Sequence, residues 1–173
     1  GIRWLALGIE SANKEVRLEV SKGKFEDVDI SQVVEQVHDA DINIMANYIF
    51  GLPGDTEETM QATLDLSREL CTAGWNAYGA MALPGSELYA EALRDGRRLP
   101  STYSEYSWFG YDTLPLSNGI LSSEQILAFR DKAFIDYHTD PKVLLKIGNE
   151  FGSKVVLNII DMLKVKLKRK ILE

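Results

Sequence analysis

The sequence predicts an α/β chain: three parallel strands joined by helices, then a run of C-terminal helices. Three observations predict it. Short apolar stretches at 4–9, 43–50 and 75–83 alternate with segments of helical periodicity. Turn residues close the second and third stretches, Gly51-Leu52-Pro53-Gly54 and Pro84-Gly85. The connections are long enough for crossover helices, which parallel pairing requires. Three strands are few for a closed barrel, so the pattern fits a partial (β/α) barrel or a small three-layer piece.

Each element has its own signal. Residues 4–9 are mostly apolar and bounded by Gly8 and Ser11, as in a buried strand. Ser11 or Asn13 caps a helix running to about Val20. Lys22-Gly23-Lys24 breaks it. Asp29 or Ser31 starts a second helix with Val33, Val34, Val37 and Ala40 on one face. The second strand follows, then a helix capped by Thr56 with Met60, Leu64, Leu66 and Leu70 inside. It is predicted to end near Gly74. After the third strand, Ser86-Glu87 opens a helix to about Leu93. Helical periodicity fails from 97 to 121, a stretch rich in aromatics (Tyr103, Tyr106, Trp108, Phe109, Tyr111) and expected to pack over the sheet. Ser122-Ser123-Glu124 caps a helix through Tyr137. Asp140-Pro141 caps a last helical region, predicted to reach the chain end with a weak point at 148–152. The chain thus divides into 1–96, the sheet unit; 97–121, the aromatic loop; and 122–173, a helical extension.

A chain of 173 residues fits one domain with a sizeable core. Apolar residues at 45 % and charged residues at 26 % are the proportions of a soluble globular protein. No apolar run is long enough to span a bilayer. The start, Gly1-Ile2-Arg3-Trp4, has neither a leader nor an initiator Met, so the chain reads as an excised fragment whose first strand began upstream. One cysteine, Cys71, excludes a multi-cysteine metal site within the chain and fits a reducing, cytoplasmic setting. Charge is segregated: 154–173 carries six basic and two acidic residues, +4, leaving −11 of the total −7 for the rest. An acidic body argues against nucleic-acid binding.

Polar residues at strand ends are the candidate site. Glu10 and Ser11 place a carboxylate and a hydroxyl after the first strand, where a carboxylate suits a ribose diol; Ser11 as a simple cap is the competing reading. Asn47 lies within an apolar strand, so its amide needs a partner. A hydrogen bond to a neighbouring strand satisfies it as well as a ligand does. Alternation puts Ile49 on the face of Asn47. The Gly51–Gly54 turn offers backbone N–H groups to an anion, or is a tight strand-to-helix turn. Lys22 is by default a solvated charge. Ala82 and Leu83, with small neighbours, leave strand-end backbone open to a flat ring, or simply end a buried strand. His38 and His138 lack metal-ligand spacing, and Cys71 reads as core. The basic tail reads as a docking helix burying Val156, Ile160, Leu163, Leu167 and Ile171, with a membrane-surface or partner-binding helix the alternative.

Taken in order, Gly8-Ile9-Glu10-Ser11, Lys22-Gly23, Ile49-Phe50-Gly51-Leu52-Pro53-Gly54-Asp55-Thr56 and Pro84-Gly85-Ser86-Glu87-Leu88-Tyr89 resemble the second half of a radical S-adenosylmethionine (SAM) enzyme core. The resemblance spans about 8–93 and is closest to cobalamin-associated members such as the magnesium-protoporphyrin monomethyl ester oxidative cyclases. It implies strands four to six of a six-stranded partial barrel. It implies that Glu10 and Ser11 lie by the ribose and methionine end of SAM, and that Lys22 pairs with its carboxylate. Asn47 would contact the ribose, Ile49 pack on adenine, and Ala82 and Leu83 offer backbone to adenine. The family's Cys-x-x-x-Cys-x-x-Cys loop and Gly-Gly-Glu motif are missing from this sequence, so the chain alone is expected to hold no 4Fe-4S cluster, to lack activity and to bind SAM weakly or not at all. Cobalamin would come through an upstream domain, and a small-molecule substrate through the parent protein. An exposed half-barrel face implies self-association. A free-standing α/β module, binding a small molecule or a partner, is the alternative.

Overall fold

The three strands form one parallel sheet in the order β1-β2-β3, with β1 at Trp4–Glu10, β2 at Asn43–Phe50 and β3 at Gly74–Gly79. The computed structural model describes residues 1–21 and 27–173. Helix α1 (Lys14–Ser21) and α2 (Ile30–Asp39) link β1 to β2, and α3 (Glu57–Leu70) links β2 to β3. After them come α4 (Glu87–Arg94), a short 3₁₀ turn at Tyr103–Tyr106, α5 (Ser123–His138), α6 (Pro141–Phe151) and α7 (Ser153–Leu163). Among the described residues this is an α/β architecture with seven α-helices and a three-stranded parallel sheet.

Capping residues set the helix starts. Asp29 accepts from Gln32 N–H, Thr56 and Ser122 close reciprocal capping boxes with Thr59 and Gln125, and Ser86 accepts from Tyr89 N–H. Asn13 caps α1 through Val16 N–H at 3.0 Å. Each satisfies an N–H that the first helical turn leaves without a partner.

The sheet has two unlike faces, and β2 shows why. Ile44, Ala46, Tyr48 and Phe50 are buried, whereas the alternating Asn43, Met45, Asn47 and Ile49 are only half-buried. The buried face packs against Val34 of α2, Met60 and Leu64 of α3, and Ile126 and Ala133 of α5. Trp75 stacks on Tyr137 with ring centroids 4.8 Å apart. Val143 and Ile147 of α6 extend this core, so the C-terminal helices help cover the sheet.

Several boundaries differ from the sequence expectation. Helix α3 stops at Cys71, which caps it in the left-handed region (φ 46°), rather than near Gly74. Gly74 instead begins β3, pressed against the Met45 side chain where a Cβ would collide. Strand β3 ends at Gly79, short of Leu83. Ala80 still donates to Phe50 O (2.8 Å), but its own carbonyl accepts from Leu116 N (2.8 Å), and the chain turns away. The helical tail breaks at Gly152 (φ 87°) as expected, but α7 ends at Leu163 instead of continuing to the terminus. The tail then folds back so that Arg169 is buried.

Candidate functional site

Register aligns the open face. Gly8, Asn47 and Asn76 stand abreast on β1, β2 and β3, and Ile49 stands beside Tyr78. The polar row is held by the middle residue. Asn47 Nδ2 donates to Leu7 O and Met45 O, both at 3.2 Å. Asn76 Nδ2 donates to Asn47 Oδ1 at 3.1 Å. Both donor hydrogens of Asn47 are therefore used within the sheet, and its orientation is set by the two carbonyls it must face. Asn76 keeps its Oδ1 and one N–H for the open face. Asn76 was not singled out from the sequence; its signal was a second amide inside a strand, meaningful only once register set it against Asn47.

At the carboxyl end of β1 the ladder slips by one residue between Gly8 and Glu10. Glu10 takes a left-handed backbone (φ 64°), which a residue with a Cβ adopts at a cost. Its carboxylate folds back over Gly8, inside the space a Cβ there would need. The carboxylate is half-buried and has no hydrogen-bond or ion-pair partner among the described residues, and burial raises its pKa above the ordinary glutamate value. An unpaired, partly desolvated carboxylate is a group waiting for a donor.

Ser11 is fully buried, with Oγ 3.2 Å from Thr63 Oγ1 and accepting from Asn13 N at 3.1 Å. Its hydroxyl is engaged within the protein. Ile49 is half-buried and packs with Val16, Leu52 and Ala80. Ala82 is enclosed by Ala92 and Leu116. Leu83 is 44 % exposed, but its N–H donates to Met81 O and its carbonyl accepts from Ser86 N, both at 3.0 Å. The strand-end backbone at 82–83 is thus enclosed or used in turns. Lys22 lies outside the described residues.

The Gly51–Gly54 turn is closed from within. Asp55 Oδ2 accepts from Gly51 N and Leu52 N at 3.0 Å each, and Oδ1 accepts from Thr59 Oγ1 at 2.7 Å. Burial raises the Asp55 pKa although these hydrogen bonds oppose it. With two amides consumed by its own aspartate, the turn is a strand-to-helix joint and not an anion cradle. Gly51 needs its glycine twice: φ is 81°, and a Cβ would strike Ile126.

The aromatic loop reaches the site from the β3 side. Trp108 packs on Tyr78 with ring centroids 4.7 Å apart. Asn118 fastens the end of the loop to the turn, donating to Leu52 O and Asp55 O at 2.9 Å each. Glu10, Asn76, Ile49 and the Tyr78–Trp108 pair thus combine an acceptor, an amide, an apolar wall and aromatic rings on one face of the sheet.

No group of three or more potential metal ligands occurs among the described residues. Cys71 is buried, and burial raises its thiol pKa, so it is an inert core thiol. The residues present do not fit an iron–sulfur cluster, which needs several thiolates. Neither a protein-family model nor a curated protein matches the chain.

Proposed function

We propose that this chain is the SAM-cradling half of a radical SAM iron–sulfur oxidoreductase core, its three strands being the second half of a six-stranded partial barrel. The observation that carries the reading is Glu10. A half-buried carboxylate without a partner among the described residues, held in a left-handed backbone over a glycine, stands at the carboxyl end of β1 on the face that carries Asn47 and Asn76. Ligands of open parallel sheets bind at that end. A ribose diol supplies the donors Glu10 needs, and Ile49 is an apolar wall for a purine. Lys22 would pair with the amino-acid carboxylate, as the resemblance implies. Cleavage of SAM to the 5′-deoxyadenosyl radical would require a cluster bound by cysteines elsewhere in a longer protein, and any cobalamin would come from a further domain. The substrate is a small molecule in this reading, and the uncovered face awaits the first half of the barrel or a second copy of the chain.

The test is anaerobic iron–sulfur reconstitution of the protein extended upstream, followed by an assay for 5′-deoxyadenosine formed from SAM. Product is expected, and it should fall at least tenfold in folded Glu10→Gln and Lys22→Ala variants. No cluster and no product would leave a free-standing α/β binding or interaction module as the better account.

A further inference from the structure

The C-terminal segment exposes large apolar side chains next to cations. Helix α7 turns Val155, Val156 and Ile159 toward the core, while Leu157 is 60 % and Ile160 42 % exposed. Past the helix, Val165 is 70 % and Leu167 43 % exposed. Lysines alternate with them at 164, 166, 168 and 170. Lys166 and Lys168 have no ion-pair partner among the described residues, while Lys164 and Lys170 make surface pairs with Asp161 and Asp112. We infer that Leu157 to Lys168 is a docking surface for an anionic lipid bilayer.

Charge complementarity selects this occupant. Within 157–168 three lysines stand against one aspartate, a net +2 on a chain that is −7 overall, so positive charge lies among the exposed apolar residues. A nucleic-acid backbone would satisfy the lysines but leave Leu157 and Val165 against phosphates. A bilayer surface takes both, because its headgroups are anionic and the region just beneath is apolar. The cations left free are lysines, point charges suited to a diffuse anionic surface, whereas the arginine of the segment is spent inside the protein. Repulsion from the acidic body is screened beyond about 8 Å at physiological salt. Arg169 also anchors the tail, so the surface is held in place before it meets a membrane.

The full chain should co-sediment with vesicles of phosphatidylcholine containing about 30 mol % phosphatidylserine and not with phosphatidylcholine alone. Each lysine near such a surface is worth about a fivefold change in partitioning, so Lys166→Glu with Lys168→Glu should weaken binding at least tenfold. Leu157→Ser with Val165→Ser, both exposed and so compatible with folding, should also weaken binding severalfold. Circular dichroism should be unchanged in each. No binding to anionic vesicles overturns the inference. So does binding that survives the serine pair, which would show only polyanion attraction, or retention on an acidic polypeptide with none on vesicles. The outcome is independent of SAM chemistry.

Discussion

Arg169 forks Asp131: Nε lies 2.7 Å from Oδ2 and Nη2 2.9 Å from Oδ1. Its Nη1 donates to Trp108 O (3.1 Å) and Gly110 O (3.0 Å), and Lys170 N–H to Tyr111 O (3.0 Å). One buried guanidinium therefore ties the tail to α5 and to the aromatic loop. Burial pushes Asp131 up, but the hydrogen bonds and charges of Arg169 and Arg130 outweigh it and hold the carboxyl below the ordinary aspartate value. Arg169→Ala is expected to cost about 3 kcal/mol, because it breaks a buried pair and strands two carbonyls. Arg169→Lys should recover less than half, since an ammonium cannot fork. Urea unfolding checks both; an unchanged midpoint for Arg169→Ala would mean that the clamp is idle.

Asp55→Ala leaves the N–H groups of Gly51 and Leu52 buried without acceptors. A loss of about 3 kcal/mol is expected from the two stranded donors. Thermal unfolding measures it, and a loss near zero would show that the turn re-forms without its aspartate.

Asn47 and Asn76 should separate by readout. Asn47→Ala removes the bridge across three strands and should destabilise by about 1–2 kcal/mol. Asn76→Ala breaks one bond and should cost less stability; the proposed SAM-cradling role requires it also to lower 5′-deoxyadenosine formation by the protein extended upstream. Equal stability losses with unaltered product would remove Asn76 from the site.

His138 is buried among Trp75, Phe134 and Tyr137, with Nδ1 2.8 Å from Phe134 O. Burial lowers its pKa. Its unfolded pKa is about 6.5, so the unfolded chain takes up the proton first on acidification. Stability from this group is complete above that pH and is lost as pH falls toward the folded value. Wild-type protein should therefore unfold at lower urea at pH 5 than at pH 7, and the difference should shrink in His138→Phe. A difference of the same size in the variant would assign the acid sensitivity to other groups.

Among the described residues β1 pairs only with β2, which leaves its other edge free, and Trp4, Ala6 and Gly8 of β1 are exposed. Edges and open faces of this kind seek partners. Light scattering should show mass rising with concentration. A clean monomer at high concentration would count against association through this face.

Much of the fold was legible locally because its signals are local. Capping residues at Asp29, Thr56, Ser86 and Ser122 and the apolar alternation of β2 depend on neighbours a few positions away, and each lies where the sequence put it. Glu10 and Asn47 stood out for the same reason, as polar groups in apolar strands. What the sequence could not decide depends on contacts far along the chain. Asn76 acquires meaning only when register brings it 3.1 Å from a residue 29 positions earlier. The Gly51–Gly54 turn reads as a tight strand-to-helix turn or an anion cradle until Asp55 is seen to occupy two of its amides. The tail reads as helix to its end because lysines and leucines favour helix, yet a buried partner at Asp131, 38 residues away, draws Arg169 inward. Periodicity and capping determined the elements by themselves. Long-range pairing, which decides where each polar group is satisfied, was left to the tertiary structure.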